Sequence, residues 1–296
     1  MLCLATAPGF AGTVPVLGSA VGFAVLGNTT VTNIGSTTLT GSSSVTANLG
    51  LYPGTAITGL GPGADQVTFT NGVVHTTDMV AQQAQADLLK AYTALSLLPV
   101  SANVSGQNLG DFHTGGLGAL GPGVYKLDAA AAITGTLELD AQNTDGAYWV
   151  FQIGSTLTAT AGNALVKVIQ ARVAGNNGAD IGVFWLVGTS ATLGTGTTLA
   201  GNLLAQASIT LNTSAAILNG RALALGGAVT LDTNTIRDFC PDNNNGPGFS
   251  GGLVFASEGS TVLVPIPEPS MFGVLALFLT TLWGYGRRHT FAAGGF

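Results

Sequence analysis

The sequence predicts a mainly β fold: a three-sided β-solenoid with one long α-helix packed alongside it. Three observations carry that prediction: a short phrase recurring about every twenty residues, strands of different apolar pattern around it, and one helical segment long enough to flank a stack. A period of this size, with a small phrase in each unit, marks coils that bury their apolar sides against one another.

Taken in order, the chain opens on an apolar stretch, MLCLATAPGFAG, whose Ala5-Thr6-Ala7 triplet has the small-residue form of a signal-peptidase site. It lacks a basic segment and holds only a stub of an apolar one. Residues 1–15 therefore read as the remnant of an export leader, or else as a plain disordered end.

From 16 to 240, short strands separated by Gly, Asn and Ser-Thr turns dominate. Thr192-Leu-Gly-Thr195, Thr210-Leu-Asn-Thr213 and Thr230-Leu-Asp-Thr233 share one form, and their leucines stand at 193, 211 and 231. Thr156-Leu-Thr-Ala159 is an imperfect earlier copy and Thr30-Val-Thr-Asn33 a more distant one. Alternation in such strands turns Leu inward and Thr outward. A second class, Tyr148–Ile153 and Val183–Val187, echoed at 202–205 and 221–225, is apolar at both parities and must be covered on both faces. A third, as in Thr197-Thr-Leu-Ala-Gly201, completes the coil. One side is thus covered, and the threonine side is open.

The cover is Thr77 to Leu98, which has no Gly or Pro inside and is followed by Pro99. Thr76 or Thr77 is the expected cap, with Asp78 favouring the first turn. Met79, Val80, Ala84, Ala86, Leu88, Leu89 and Leu95 form its expected apolar stripe. The length, about 33 Å, would span about seven coils. The Gly-rich segment 100–123 reads as a capping loop and return. Residues 241–263, rich in Gly, Asn and Ser, read as a linker. The last unit, 264–296, holds an apolar run at 271–286 followed by Arg287 and Arg288. That run is short for a membrane span, which needs about 20 residues, but it has a positive flank.

Composition narrows the function. Only 7% of residues are charged, so the surface must be made of hydroxyls, amides and backbone. The net charge of -6 comes with no basic run before the tail, which argues against nucleic-acid binding. Cys3 and Cys240 suit one disulfide or two unrelated thiols. No HxH, HExxH or CxxC occurs, and neither a metal nor a cofactor is expected. Glu138 and Asp140 share a strand face without an acid/base partner, so no enzyme is expected. His75 and His113 read as structural or loop residues.

Two resemblances follow. Pro267, Glu268 and Pro269, the short hydrophobic run, and Arg287 with Arg288 make the tail similar to a PEP-CTERM sorting signal, although HTFAAGGF continues past the basic pair. That resemblance implies processing by an exosortase, a membrane protease, and a secreted or cell-surface protein held transiently by its C-terminal helix. The phrases LGSAVGFAVLGNTTVTNIG (17–35), VHTTDMVAQQAQADLLKAY (74–92), LGTGTTLAGNLLA (193–205) and LNGRALALGGAVTLDTNTI (218–236) resemble the microbial ice-binding (antifreeze) family. The resemblance covers most of 16–237. It implies a right-handed, discontinuous solenoid whose N- and C-terminal coils meet, and an ice-facing side of T-A/G-x-T/N-like phrases. Thr55-Ala-Ile-Thr58 and Thr195-Gly-Thr-Thr198 fit that form; Thr213-Ser-Ala-Ala216 and Thr158-Ala-Thr-Ala161 fit it poorly.

The expected site is a grid of Thr192, Thr195, Thr210, Thr213, Thr230 and Thr233, extended by Thr30, Thr32, Thr55, Thr58, Thr156 and Thr158, with an ice crystal surface as partner. Equivalent residues on neighbouring strands lie about 4.7–4.9 Å apart, and i, i+2 residues about 6.6–6.8 Å apart. Threonine adds a hydroxyl and a methyl on a stiff stem. Asp232 is the misfit, a charge inside one of the best phrases. The rival reading is an extracellular adhesin or matrix protein on the same fold, holding cells, polysaccharide or surfaces. A polysaccharide-cleaving β-helix enzyme would need charged groups gathered in a groove.

Overall fold

The computed structural model describes residues 16–144, 146–162, 164–171 and 181–238, with the strands Leu253–Phe255 and Leu263–Pro265. The leader 1–15, the sorting motif (Pro267, Glu268, Pro269, Arg287, Arg288), the apolar run 271–286, Cys3 and Cys240 lie outside the described residues.

Three parallel sheets make the sides of a solenoid. In spatial order, sheet A consists of Val74–Thr76, Asn48–Leu51, Phe23–Gly27, Ala222–Ala224, Asn202–Ala205, Gly182–Val187, Tyr148–Ile153, Gly123–Leu127 and Ala102–Asn103. Sheet B consists of Ala131–Ile133, Leu157–Ala159, Ala191–Leu193, Ile209–Leu211, Val229–Asp232, Thr30–Ile34 and Ala56–Thr58. Sheet C consists of Thr136–Asp140, Leu165–Ile169, Thr198–Ala200, Ala216–Leu218, Thr235–Arg237, Ser36–Thr40 and Gln66–Thr70. Each full coil adds one strand to A, then B, then C.

Order in space departs from order in the chain. The first coil pairs with the last on all three sides: Val25 with Ala222, Thr32 with Thr230, and Leu39 with Ile236. From Phe23 the chain therefore enters the middle of the stack and winds to one end at Val74–Thr76. It then returns along a helix and refills the stack from Ala102 up to the seam.

Both parities of the apolar strands are buried, as their sequences require. Val183, Trp185 and Val187 join the core inside the coils, while Phe184 and Leu186 pack outward with Leu88, Ala91 and Leu95 of the helix. Inside, Tyr125, Phe151 and Trp185 stack along the solenoid, with ring centroids 5.6 and 4.1 Å apart. The buried Trp149 and Trp185 ring N–H groups donate to the carbonyls of Leu120 (3.0 Å) and Ala200 (2.9 Å), so neither indole leaves an unpaired donor.

The helix, α1, spans Met79–Ser96, shorter at both ends than Thr77–Leu98. Asp78, not Thr76 or Thr77, is its cap. The Asp78 carboxylate accepts from the Ala81 amide (2.8 Å) and meets His75 Nδ1 at 2.7 Å, giving that histidine a structural role. Thr77 has φ +54°, a left-handed conformation that cannot start a helix. The apolar stripe is corrected too. Ala84, Leu88 and Leu95 are buried with Ala81, Gln85, Ala91 and Ala94, but Met79, Val80, Ala86 and Leu89 face solvent. Rows of alanine let the helix lie close on the flat sheet, and the large side chains at 79, 80 and 89 fall outside that contact. Gln85 is buried because its side-chain amide donates to the carbonyls of Gly27 (2.9 Å) and Ala224 (3.1 Å), one on each side of the seam.

Residues 104–120 cap one end of the stack with buried Val104, Leu109, Phe112 and Leu120. Within the region read as linker and tail start, Leu253–Phe255 pairs antiparallel with Leu263–Pro265. Among the described residues no helix is long and apolar enough to cross a membrane.

Candidate functional site

Sheet B is open to solvent. Each short strand turns two apolar residues into the core, such as Ile209 and Leu211, and one residue outward between them, here Thr210. Because the strands stack in register, these outward residues align. Thr158 pairs with Thr192, Thr192 with Thr210, Thr210 with Thr230, Thr230 with Thr32, and Thr32 with Thr58. The row begins at Ala132 beside Thr158. Six threonines from six coils thus form one unbroken row that crosses the seam. Thr158 and Thr58 are exposed and the four between them half-buried, each held by neighbours on both sides.

Thr30 stands two residues earlier on its strand, and Thr156 stands just ahead of its strand, in a second row where the Ser190 and Ser208 hydroxyls accept from the amides of Ser208 (3.3 Å) and Ala228 (3.2 Å) in the next coil. The same row holds Ser190, Ser208 and Ala228, and Thr30 pairs with Ala56. The threonine phrases of the sequence do not mark Ser190 and Ser208. The signal available was alternation, since each lies two residues before a row threonine.

Four expected residues lie off these rows. Thr195, Thr213 and Thr233 occupy the corner between sheets B and C, where the strand has ended and alternation no longer governs direction. Thr233 has φ +54°. Asp232 explains itself at this corner: its carboxylate accepts from the hydroxyls of Thr213 (2.5 Å) and Thr233 (3.0 Å), so both are turned to internal use. Thr55 precedes its strand in the loop after Pro53, out of step with Thr58. The i, i+3 phrase pairs a row threonine with a corner or loop threonine.

The other sides differ. Sheet A lies under α1. On sheet C, Thr235, Thr38 and Thr68 are in register, but Ala216 and Leu165 interrupt the run. The next outward row there carries Glu138, Lys167 and Arg237. Thr197 points inward and is buried, its hydroxyl donating to Gly194 O at 2.8 Å. On sheet B, Asp232 alone among the described outward residues is charged.

Glu138 is tied into the end of the stack. Lys167 (2.8 Å) and the amide and hydroxyl of Thr114 (2.7 Å each) hold its carboxyl down at about 2, and it serves to clamp the end cap. Among the described residues no three His, Cys, Asp or Glu side chains gather as metal ligands do.

Residues 25–237 match the family described as Ice-binding-like. An ice-binding protein of Nostoc sp. (strain HG1) is 43% identical over 278 residues, covering 94% of this chain and 89% of that one. The crystal structure of an ice-binding protein from an Antarctic biological consortium has a TM-score of 0.63 at 37% identity, over 80% of this chain and 95% of that one. That of an ice-binding protein from the Antarctic ascomycete Antarctomyces psychrotrophicus also has a TM-score of 0.63, at 36% identity over 76% and 98%. With the family match covering most of the chain and a relative this similar over nearly its whole length, the chain belongs to the ice-binding-like family.

Proposed function

We propose that this protein adsorbs to ice through the outer surface of sheet B and so restrains ice growth or recrystallisation. The observation that carries the reading is the in-register row Thr158, Thr192, Thr210, Thr230, Thr32 and Thr58. A row repeating at about 4.7–4.9 Å, on a surface stiffened by stacking, offers a regular lattice to ordered water. The β-branched side chains lose little rotamer freedom on docking. Their methyls order adjacent water while hydroxyls and backbone hold it. The second row, Thr156, Ser190, Ser208 and Thr30, widens the face by one i, i+2 step. The named relatives are themselves ice-binding proteins.

The test is a single ice crystal held in a nanolitre osmometer with the purified protein. Faceted growth and a gap between melting and freezing are expected. Round crystals at high protein concentration would favour the adhesin or matrix reading, with extracellular polysaccharide as partner.

The same proposal places the protein outside the cell. Residues 16–240 are the ice-binding domain, 1–15 a residual leader and 264–296 the sorting tail, with Pro267, Glu268, Pro269, Arg287 and Arg288 read by an exosortase. Support comes from the tail's sequence pattern and the low charge of the chain. Mass spectrometry of the mature protein from its own cells tests this: a C-terminus upstream of 271 is expected, and an intact tail contradicts it.

A further inference from the structure

The two ends of the solenoid are built differently. At one end, Leu109, Phe112 and Leu120 seal the core, and Leu120 forms a bridge to Leu139. At the other end, the coil of residues 48–76 has no such cover among the described residues. Ile57, Leu60, Val67 and Phe69 point into the core yet are only partly buried. Around them Val73 (56% exposed), Val74, Met79 (83% exposed) and Val80 stand open to solvent. Ala56–Thr58, Gln66–Thr70 and Val74–Thr76 are all edge strands. An uncovered end of a parallel stack presents both apolar core and unpaired backbone, which invites another strand.

The chain carries a segment suited to that place. Leu253–Phe255 and Leu263–Pro265 form a two-stranded antiparallel sheet with no third strand among the described residues. Their sequence, Leu-Val-Phe and Leu-Val-Pro within GGLVFA and TVLVPI, is apolar. A two-stranded ribbon alone is marginal in water and needs a surface to pack on. Reach is ample: from Asp238, beside Thr235–Arg237, the open end is two ladder steps away, about 10 Å. Residues 239–252 can extend to about 46 Å.

We infer that the 253–265 strand pair caps the open end of the solenoid, covering Ile57, Leu60, Val67 and Phe69. Its apolar residues take the role at this end that Leu109, Phe112 and Leu120 take at the other. The proposal is independent of what sheet B binds.

Amide hydrogen exchange on the full chain in a mild non-ionic detergent tests it, comparing wild type with Val254→Asp and Val264→Asp. In wild type, the outward amides of Ala56–Thr58 and Gln66–Thr70 should exchange at least about tenfold slower than unstructured chain, and either substitution should abolish that protection. The strand Tyr148–Ile153, near the sealed end, should be unchanged and reports that the variant is folded. Val254→Thr replaces an Asp variant that fails to fold. Free exchange of the edge amides in wild type overturns the proposal. So does protection that survives the substitutions: if lost on dilution it comes from a second copy, and if independent of dilution from another segment such as 1–15.

Discussion

Thr230 of the last coil lies in register beside Thr32 of the first, across a parallel pairing that joins opposite ends of the domain. The threonine row is thus continuous only where the seam is closed, and anything that opens the seam divides the row into two shorter pieces.

Within the row, Thr210→Tyr should abolish ice shaping, because a ring standing above the row prevents close contact on both sides. Stability should change little, because the side chain points out of the core and the ring stands above the row rather than inside the coil. Thr198→Tyr, on sheet C, should leave activity intact. Osmometry with thermal unfolding on both variants decides it; the opposite pattern would move the site to sheet C. Thr197→Tyr is no control, since Thr197 is buried and would unfold the coil.

At the corner, Thr213→Val removes a hydroxyl already committed to Asp232. It should barely alter the freezing–melting gap, whereas Thr192→Val in the row should narrow it. A gap equally sensitive to both changes would show that the corner takes part in the face.

Gln85 holds both sides of the seam through Gly27 and Ala224. Gln85→Ala leaves those carbonyls without their side-chain donor under the helix, at a cost of about 1–3 kcal/mol. Chemical denaturation should report that loss, and a variant as stable as wild type would mean that the bonds are dispensable.

Stability should peak in mildly acid solution. Asp238 is sealed beside Arg221, 4.0 Å away, and burial, only partly offset by Arg221, pushes its carboxyl from 3.8 up to about 7. Between those values the folded chain keeps a proton that the unfolded chain has released, so stability falls as pH rises from about 4 to about 7. Glu138 and Asp128 act oppositely. Lys167 and Thr114 hold the first at about 2; Lys126, with Asn103 and Ser105, holds the second there. Their contribution is present above about 4.5 and lost as pH falls toward 2. Calorimetry at pH 3, 5 and 7.5 should give the highest unfolding temperature at 5. Asp238→Asn should remove the decline on the alkaline side; a wild-type profile flat from 5 to 7.5 contradicts the assignment.

Much of this was legible in residues. The recurring leucines at 193, 211 and 231 announced the coils, and alternation alone placed Thr192, Thr210 and Thr230 outward. Corner geometry was not legible. Whether Thr195, Thr213 and Thr233 continue a strand or turn away depends on backbone that leaves the extended region just after each Leu, as at Thr233 and Ser214. The helix stripe failed for a related reason. Hydrophobicity marked Met79 and Leu89, but a flat sheet selects the alanine rows that approach closely, and Gln85 is buried by two carbonyls far away in sequence. The meeting of the two end coils came from resemblance rather than from any local pattern.

The mid-stack place of the first coil has a consequence for how the protein is made. An ordinary solenoid can grow coil by coil from the ribosome, each new turn settling on a finished one. Here the first coil, Phe23 to Thr40, carries the second coil on one edge but has no neighbour on the other until Ala222–Arg237 has been synthesised. The early coils must wait with bare edges while most of the domain follows, and folding is completed by one long-range closure, slow in the manner of high-contact-order topologies. A chain cut short before residue 222 would not be a shorter working ruler; it would be two fragments, each with an edge open to aggregation.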